Sequence, residues 1–310
     1  MSDVCSAVVF AYHDVGARCL RVLLAHGMRV PLVVTHADDP RENIWFERVA
    51  DVAAENALPV AMPGDPNAPV SVSRIAQLAP DFVFSFYYRA LLGPEILAIP
   101  RRGALNVHGS LLPKYRGRAP VNWAILHGER KTGATLHYMT GKPDAGDLVS
   151  QQAVPILPDD NALDVFRKVT VAAEIALDAA LPALIAGNAP RIRQDLSQGS
   201  YFSGRKPEDG RIDWSRGAKE IHDLVRAVAP PYPGAFTAIG GVAARILRTR
   251  IIDPASPPIA TPALEICAGR ITVRCGGGGT LAIEAIELDG ASSDAAHLIA
   301  RTGRDTWPLA

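Results

Sequence analysis

The chain has 310 residues, 48% of them apolar and 21% charged, ordinary proportions for a globular protein with length enough for two domains. Lysine plus arginine equals aspartate plus glutamate at 32 each, so no overall charge favours nucleic acid as a partner. The four cysteines, Cys5, Cys19, Cys267 and Cys275, form no CxxC pair and have no histidine at metal-ligand spacing; they read as reduced, mostly buried thiols, and no metal is expected.

The first residues lack the basic region of a signal peptide, and Tyr12, His13 and Asp14 break the apolar run that follows. No stretch reads as long enough to span a bilayer. A soluble, cytoplasmic chain without membrane insertion is the expectation, and the sequence carries no sign of its oligomeric state.

Ala7–Ala11 is a continuous apolar run, the mark of a strand buried on both faces. Helical spacing from Val15 to His26 stops at Gly27, a natural C-terminal cap. A second strand is predicted over Val30–Thr35, a helix over Asn43–Asn56, a short strand over Leu58–Met62, a helix closing at Leu78 and a fourth strand over Asp81–Phe86. Alternation of this kind predicts a parallel sheet covered by helices. Ala104–His108, Thr135–Met139 and Leu148–Val154 are further extended segments. A long helix is predicted from Ala162 to about Ile185, with Asp160 or Asn161 as N-cap and Gly187 as terminator.

After a polar stretch at 204–215 the pattern changes. One helix over Lys219–Val228 precedes the rigid turn Pro230-Pro-Tyr-Pro-Gly234. Short β-patterned runs follow at Ala235–Ile239, Ala243–Ile252, Ile271–Cys275 and Leu281–Leu288, with Gly240-Gly241 suited to a tight hairpin and Gly276–Gly279 to a looser turn. The fold class is therefore α/β. A Rossmann-like parallel sheet makes an N-terminal catalytic domain over residues 1–203, and a smaller β-rich, OB-like barrel makes a C-terminal domain over 204–310.

The informative segment is Asn106-Val-His-Gly-Ser-Leu-Leu-Pro-Lys-Tyr-Arg-Gly-Arg-Ala-Pro120. Asn106 and His108 alternate along a strand, so both side chains point to one face where the strand ends. An amide donor beside an imidazole suits a reaction that develops an oxyanion and moves a proton. On spacing alone the pair serves equally as a satisfied structural pair.

This segment, followed by Asp144-Ala-Gly-Asp147, resembles the folate-dependent formyltransferase family, whose pattern is Asn-x-His, then Ser-Leu-Leu-Pro, then a downstream Asp in an Asp-x-Gly context. Val9–Asp14, Phe84–Arg89, His108–Pro120 and Arg226–Phe236 are most similar to the branch formed by the formyltransferase half of bifunctional polymyxin-resistance enzymes. That half acts on UDP-4-amino-4-deoxy-L-arabinose in lipid A modification. The similarity covers nearly the whole chain, which stops where the bifunctional enzymes continue into a dehydrogenase.

The resemblance implies an N-formyltransferase that takes 10-formyltetrahydrofolate as co-substrate, with Asn106, His108 and Asp144 as the catalytic set. Asn106 would donate to the developing oxyanion, and His108 would transfer protons. Asp144 would favour the protonated imidazole and raise its pKa. For folate the corresponding positions are Ala90, Leu91 and Leu92, Arg118, and Thr140, Gly141, Lys142, Pro143 and Asp144. By spacing alone Leu91 and Leu92 are core residues, and Arg118 is equally a solvated loop charge.

Phe86, Tyr87 and Tyr88 form an aromatic cluster at a strand end; packing is the simpler reading for Phe86, while the tyrosines also suit stacking on a ligand. Tyr12 and His13 end the first strand, and for His13 a capping role stands beside contact with substrate. Arg205, Arg226 and Tyr232 lie in segments resembling the sugar-nucleotide relatives, where a surface role is equally open. His26, His36, His127, His137, His222 and His297 show no partner pattern.

Within the same fold, methionyl-tRNA formyltransferase is the main rival. A tRNA binder needs a strongly basic surface, yet residues 201–310 carry 13 Lys plus Arg against 12 Asp plus Glu. A formyltetrahydrofolate hydrolase keeps the chemistry with water as acceptor, and a non-catalytic binding module would leave the three site residues without a task. The expected partners are a small-molecule nucleotide sugar and folate.

Overall fold

Every residue of the first strand is buried, as its unbroken apolar run requires of a strand covered on both faces. The computed structural model describes residues 4–39 and 43–309. The chain divides into two units. One is drawn from residues up to 120, from 131–155 and from 167–203; the other is drawn from 121–130, 156–166 and 204 onward.

Up to residue 203 the elements are β1 (Ser6–Ala11), α1 (His13–Ala25), β2 (Arg29–Val34), α2 (Val49–Glu55), β3 (Val60–Ala61), α3 (Pro69–Leu78), β4 (Phe82–Phe86), α4 (Pro94–Leu97), β5 (Gly103–His108), β6 (Arg116–Gly117), α5 (Pro120–Leu126), β7 (Lys131–Tyr138), β8 (Leu148–Pro155), α6 (Ala162–Ala186) and β9 (Tyr201–Phe202). Seven strands form one sheet in the order β3-β2-β1-β4-β5-β7-β8. Pairing is parallel from β3 to β5. It turns antiparallel at β5–β7 and β7–β8. The order reverses between β1 and β4, and open α/β sheets of this kind hold ligands at the carboxyl ends of their strands. β6 and β9 form a separate two-stranded pair.

Gly27 ends α1 with φ +71, the left-handed cap that its position predicted. Asn161 caps α6, its Oδ1 accepting from the backbone N–H groups of Leu163 and Asp164. The helix predicted over Asn43–Asn56 is shorter: only Val49–Glu55 is helical. Tertiary contacts win over periodicity here. Trp45 and Phe46 pack on the His13 ring, with centroids 4.6 and 3.9 Å away, and Asp14 Oδ1 accepts from the Glu47 N–H.

A second correction concerns α6. At 25 residues, with a mean hydropathy of 1.8 over an 18-residue stretch of it, the helix is long and apolar enough to cross a membrane by length and composition, contrary to the expectation of no such stretch. Its buried residues Val165, Val169, Ala172, Ala173, Ala176, Leu177, Ala180, Leu181 and Leu184 recur at three- and four-residue spacing, the stripe of a helix lying on a core. Its Glu174 pairs with Arg18 on α1, and its Asp178 with His26, the residue that follows α1.

The second unit contains α7 (Ala218–Ala227), β10 (Ala235–Ile239), β11 (Val242–Asp253), β12 (Ala263–Cys267), β13 (Arg270–Arg274), β14 (Thr280–Leu288), β15 (Ala291–Ser293), α8 (Ala295–Thr302) and β16 (Thr306–Pro308). Its antiparallel sheet runs β10-β11-β14-β13-β12-β16, with β15 on β14. Register shifts along β11–β14 bend the strands and coil the sheet around Trp214, Ile246, Leu264, Val273 and Leu281. Gly240 and Gly241, both at positive φ, make the two-residue turn between Ile239 and Val242. Among the four free cysteines Cys19 and Cys275 are buried, Cys5 is half-buried and Cys267 is exposed.

Candidate active site

The cluster begins with pleat geometry. Asn106 and His108 sit two residues apart at the end of β5, and antiparallel pairing sets His137 of β7 opposite Asn106 and Thr135 opposite His108. Directly paired residues share a face of the sheet, so one face gathers an amide and two imidazoles. Asp144 arrives from the β7–β8 connection. Its Oδ1 lies 3.5 Å from His108 Nδ1 and 3.6 Å from His137 Nε2, and its Oδ2 accepts from the Gly117 N–H at 2.9 Å.

Hydrogen bonding fixes the tautomers. The Tyr115 carbonyl, 2.7 Å from His108 Nε2, only accepts, so Nε2 carries the proton and Nδ1 is the basic atom of the neutral ring. Burial pushes His108 below the ordinary 6.5 of an imidazole; the Asp144 carboxylate and the Tyr115 carbonyl act to raise it and His137 to lower it, and burial prevails. The expectation that Asp144 raises the His108 pKa thus holds for its own influence but not for the outcome. Burial also works against the Asp144 carboxylate, yet His108, His137 and the Gly117 N–H bring it down to about 2. The resting site is a charged carboxylate beside a neutral imidazole.

The cluster lies at a cleft of ≈ 600 Å³, within the size range of small-molecule sites. Of the positions suggested for folate, Ala90, Leu91, Leu92, Arg118, Thr140, Gly141, Pro143 and Asp144 line it, and Lys142 does not. Leu91 is 72% exposed rather than a core residue, so it offers apolar surface to the cleft. Asn67 holds its segment in place, donating to the Leu91 carbonyl and accepting from the Gly93 N–H. Tyr87, Ala119 and Asp144, all lining residues, have positive φ. Such strain costs about 1–3 kcal/mol per residue and gathers at functional sites.

The family profile described as formyl transferase matches residues 23–181, and that of the formyl transferase C-terminal domain matches residues 205–302. The chain belongs to the formyl transferase family. Among solved structures it is similar to the N-formyltransferase from Helicobacter canadensis, in complex with folinic acid and dTDP-3-aminofucose, with TM-score 0.72 and 18% identity over 90% of this chain and 98% of that one. It is also similar to a sugar N-formyltransferase from a Shewanella species, at TM-score 0.60 and 18% identity over 75% and 92% of the two chains. HypX from Aquifex aeolicus in complex with tetrahydrofolic acid matches at TM-score 0.64 and 17% identity, over 96% of this chain and 47% of that one. At these identities the likeness is one of fold.

In this formyl transferase the remaining suggested contacts fall elsewhere. Tyr12 is buried, its hydroxyl donating to Asp38 and its ring under the Arg89 guanidinium. His13 stacks on Phe46 and accepts from the Asp14 N–H; neither lines the cleft. Arg226, in the second unit, is buried, bonded to Asp223 and donating to the Leu157 and Asp160 carbonyls, so its guanidinium serves the fold. Tyr232 bonds Asn122 within the same unit, where burial raises its pKa. Arg205 lies over the Trp123 ring beside a ≈ 310 Å³ hollow of that unit. Tyr88, by contrast, lines the cleft beside Tyr87 while its ring stacks on His36 with centroids 4.1 Å apart, and Phe86 is fully buried.

Sequence reading passed over His137, which joins Asn106 to Asp144. Its signal was the alternation Thr135-Leu-His137 on a strand pairing with Asn106-Val-His108; without the register, nothing tied the two segments together.

Proposed function

We propose that this formyl transferase moves a formyl group from 10-formyltetrahydrofolate to the 4-amino group of UDP-4-amino-4-deoxy-L-arabinose, or a closely related nucleotide sugar amine, in lipid A modification. The observation that carries the reading is the cluster of Asn106, His108 and Asp144 beside a cleft lined by residues 90–92 and by Thr140, Gly141 and Pro143. Leu91, Leu92, Leu97 and Met139 give the cleft apolar surface, while Arg118, Thr140, Gly141 and Asp144 give it polar edges. These features suit a flat pterin with hydrogen-bonding edges. The folate supplies the formyl carbon that the amine attacks.

His108 accepts the amine's proton at Nδ1, the nitrogen left bare by its bond to Tyr115, and returns it to folate N10 as the bond from N10 to the formyl carbon breaks and tetrahydrofolate leaves. Asp144 steadies the imidazolium that forms, and its low pKa keeps it charged throughout the working range. Asn106 donates an amide N–H to the oxygen that gains charge, the kind of contact whose loss costs about 3–4 kcal/mol. The sugar N-formyltransferases among the similar structures support an aminosugar acceptor.

The test is turnover of 10-formyltetrahydrofolate with and without UDP-4-amino-4-deoxy-L-arabinose, followed by mass spectrometry. Tetrahydrofolate together with an N-formylated nucleotide sugar is the expected outcome. Folate turnover that ignores the sugar would reject the acceptor, and no turnover with any amine would reject the reading.

A further inference from the structure

The segment after α6 returns to the site from behind. Leu148 and Ile192 exchange backbone hydrogen bonds of 2.8 and 2.9 Å, and the Arg191 guanidinium covers the Tyr138 ring at 3.7 Å. Two residues past this bridge lies Gln194, 8% exposed. Its Nε2 donates to the carbonyls of Asp144 and Gly146 at 3.0 and 2.6 Å.

The amide's orientation follows from its neighbours. Turned over, its oxygen would face two carbonyls, which only accept. In the observed orientation Oε1 is buried without a hydrogen-bond partner, a cost that the chain bears. What Gln194 supplies here is its pair of N–H donors.

The turn it grips is confined. Asp144 has φ +53, a conformation that needs outside support in a non-glycine residue. At Gly146 an added Cβ would run into the Tyr138 carbonyl, so the turn passes hard against the end of β7. The two gripped carbonyls, at Asp144 and Gly146, bracket a single residue beside the carboxylate that faces His108 Nδ1.

We infer that Gln194 is a positioning residue that sets the Asp144 carboxylate against His108 by fixing the carbonyls of Asp144 and Gly146; the inference rests on the formyl-transfer reading of the site. Gln194 touches neither imidazole in this arrangement and acts through the turn.

The test compares the wild-type protein with Gln194→Leu and with Gln194→Glu, the latter keeping size and polarity while replacing the donors by acceptors. With 10-formyltetrahydrofolate and UDP-4-amino-4-deoxy-L-arabinose, kcat should fall about a hundredfold, the scale set by an ångström's misplacement of a reacting group. The KM for the nucleotide sugar should stay within about threefold, and the KM for the folate, whose cleft Asp144 borders, should change far less than kcat. The ¹⁵N signals of the His108 imidazole, recorded without substrates, should move in both variants as Nδ1 loses its carboxylate neighbour. Unchanged kcat and unchanged His108 signals in a folded variant would overturn the inference, as would a loss confined to KM. If the wild-type protein transfers no formyl group, the functional reading fails; the His108 signals then decide alone, movement sustaining the role of Gln194 and stillness removing it.

Discussion

The side-chain nitrogens of Asn106 and His137 lie 3.1 Å apart across the β5–β7 pair. His137 Nδ1 faces the Tyr138 carbonyl at 2.9 Å, so its proton sits there and Nε2 accepts from the amide. His137 therefore fixes the plane in which Asn106 presents its donors. Asn106→Ala should lower kcat about 10²- to 10³-fold, as loss of one oxyanion donor does. His137→Leu should cost less and leave donor binding nearly intact. Steady-state kinetics on the two variants and their double mutant check this: losses that multiply fully would show that the residues act separately.

His108, as the proposed base, gives the pH profile its direction. Burial sets its pKa below 6.5, so kcat/KM should be level near neutrality and fall as the ring is protonated on the acid side of that value. Asp144→Asn removes a charge that acts to raise the pKa. The acid limb should then move to lower pH while the maximal rate drops sharply. A limb that moved to higher pH would contradict the arrangement.

His13 links acidity to stability rather than to rate. Burial, aided by the Arg89 charge, lowers its pKa to about 3, and the Asp14 N–H occupies Nδ1. Below pH 6.5 the unfolded chain takes a proton that the folded chain refuses, so stability falls with pH until about 3. At 1.36 kcal/mol per unit the loss approaches roughly 4–5 kcal/mol as an upper bound. His13→Asn, which tolerates the positive φ at this position, should flatten the dependence of urea midpoint on pH. Equal slopes in the two proteins would count against it.

Gly117 joins two demands at one residue. Its φ is +95, an added Cβ would strike the Phe202 carbonyl, and its N–H holds Asp144. Gly117→Ala should destabilise the fold by about 1–3 kcal/mol through strain and slow turnover as well. Gly27→Ala, at φ +71 with open space around it, should lower the melting temperature without touching the rate.

Much of the first sheet could be read from sequence because its strands are buried on both faces and announce themselves as apolar runs, as at Ala7–Ala11 and Phe82–Phe86. Helix ends were legible where a residue carries its own stop, as Gly27 and Gly187 do at positive φ. The segment 43–48 misled because Trp45 and Phe46 fit a helical stripe yet are spent on His13. β12, β15, β16 and α8 were missed, being three to eight residues long. At the site the strand period placed Asn106 beside His108, but His137 and Gln194 depend on pairings across 31 and 50 residues. No local pattern records such pairings.

The division of the chain bears on how such enzymes can be recombined. Residues 121–130 and 156–166 belong with the unit that resumes at 204. Asn122 donates to the Ala227 carbonyl, and the carbonyls of Leu157, Pro158 and Asp160 receive Arg226 and His222. A chimera spliced at 203/204 would therefore bring a foreign tail to native partners and mismatch both. Exchanging the second unit between relatives is a graft of three segments. Two of them lie inside the sequence of the first unit, so a single crossover in the gene cannot deliver it.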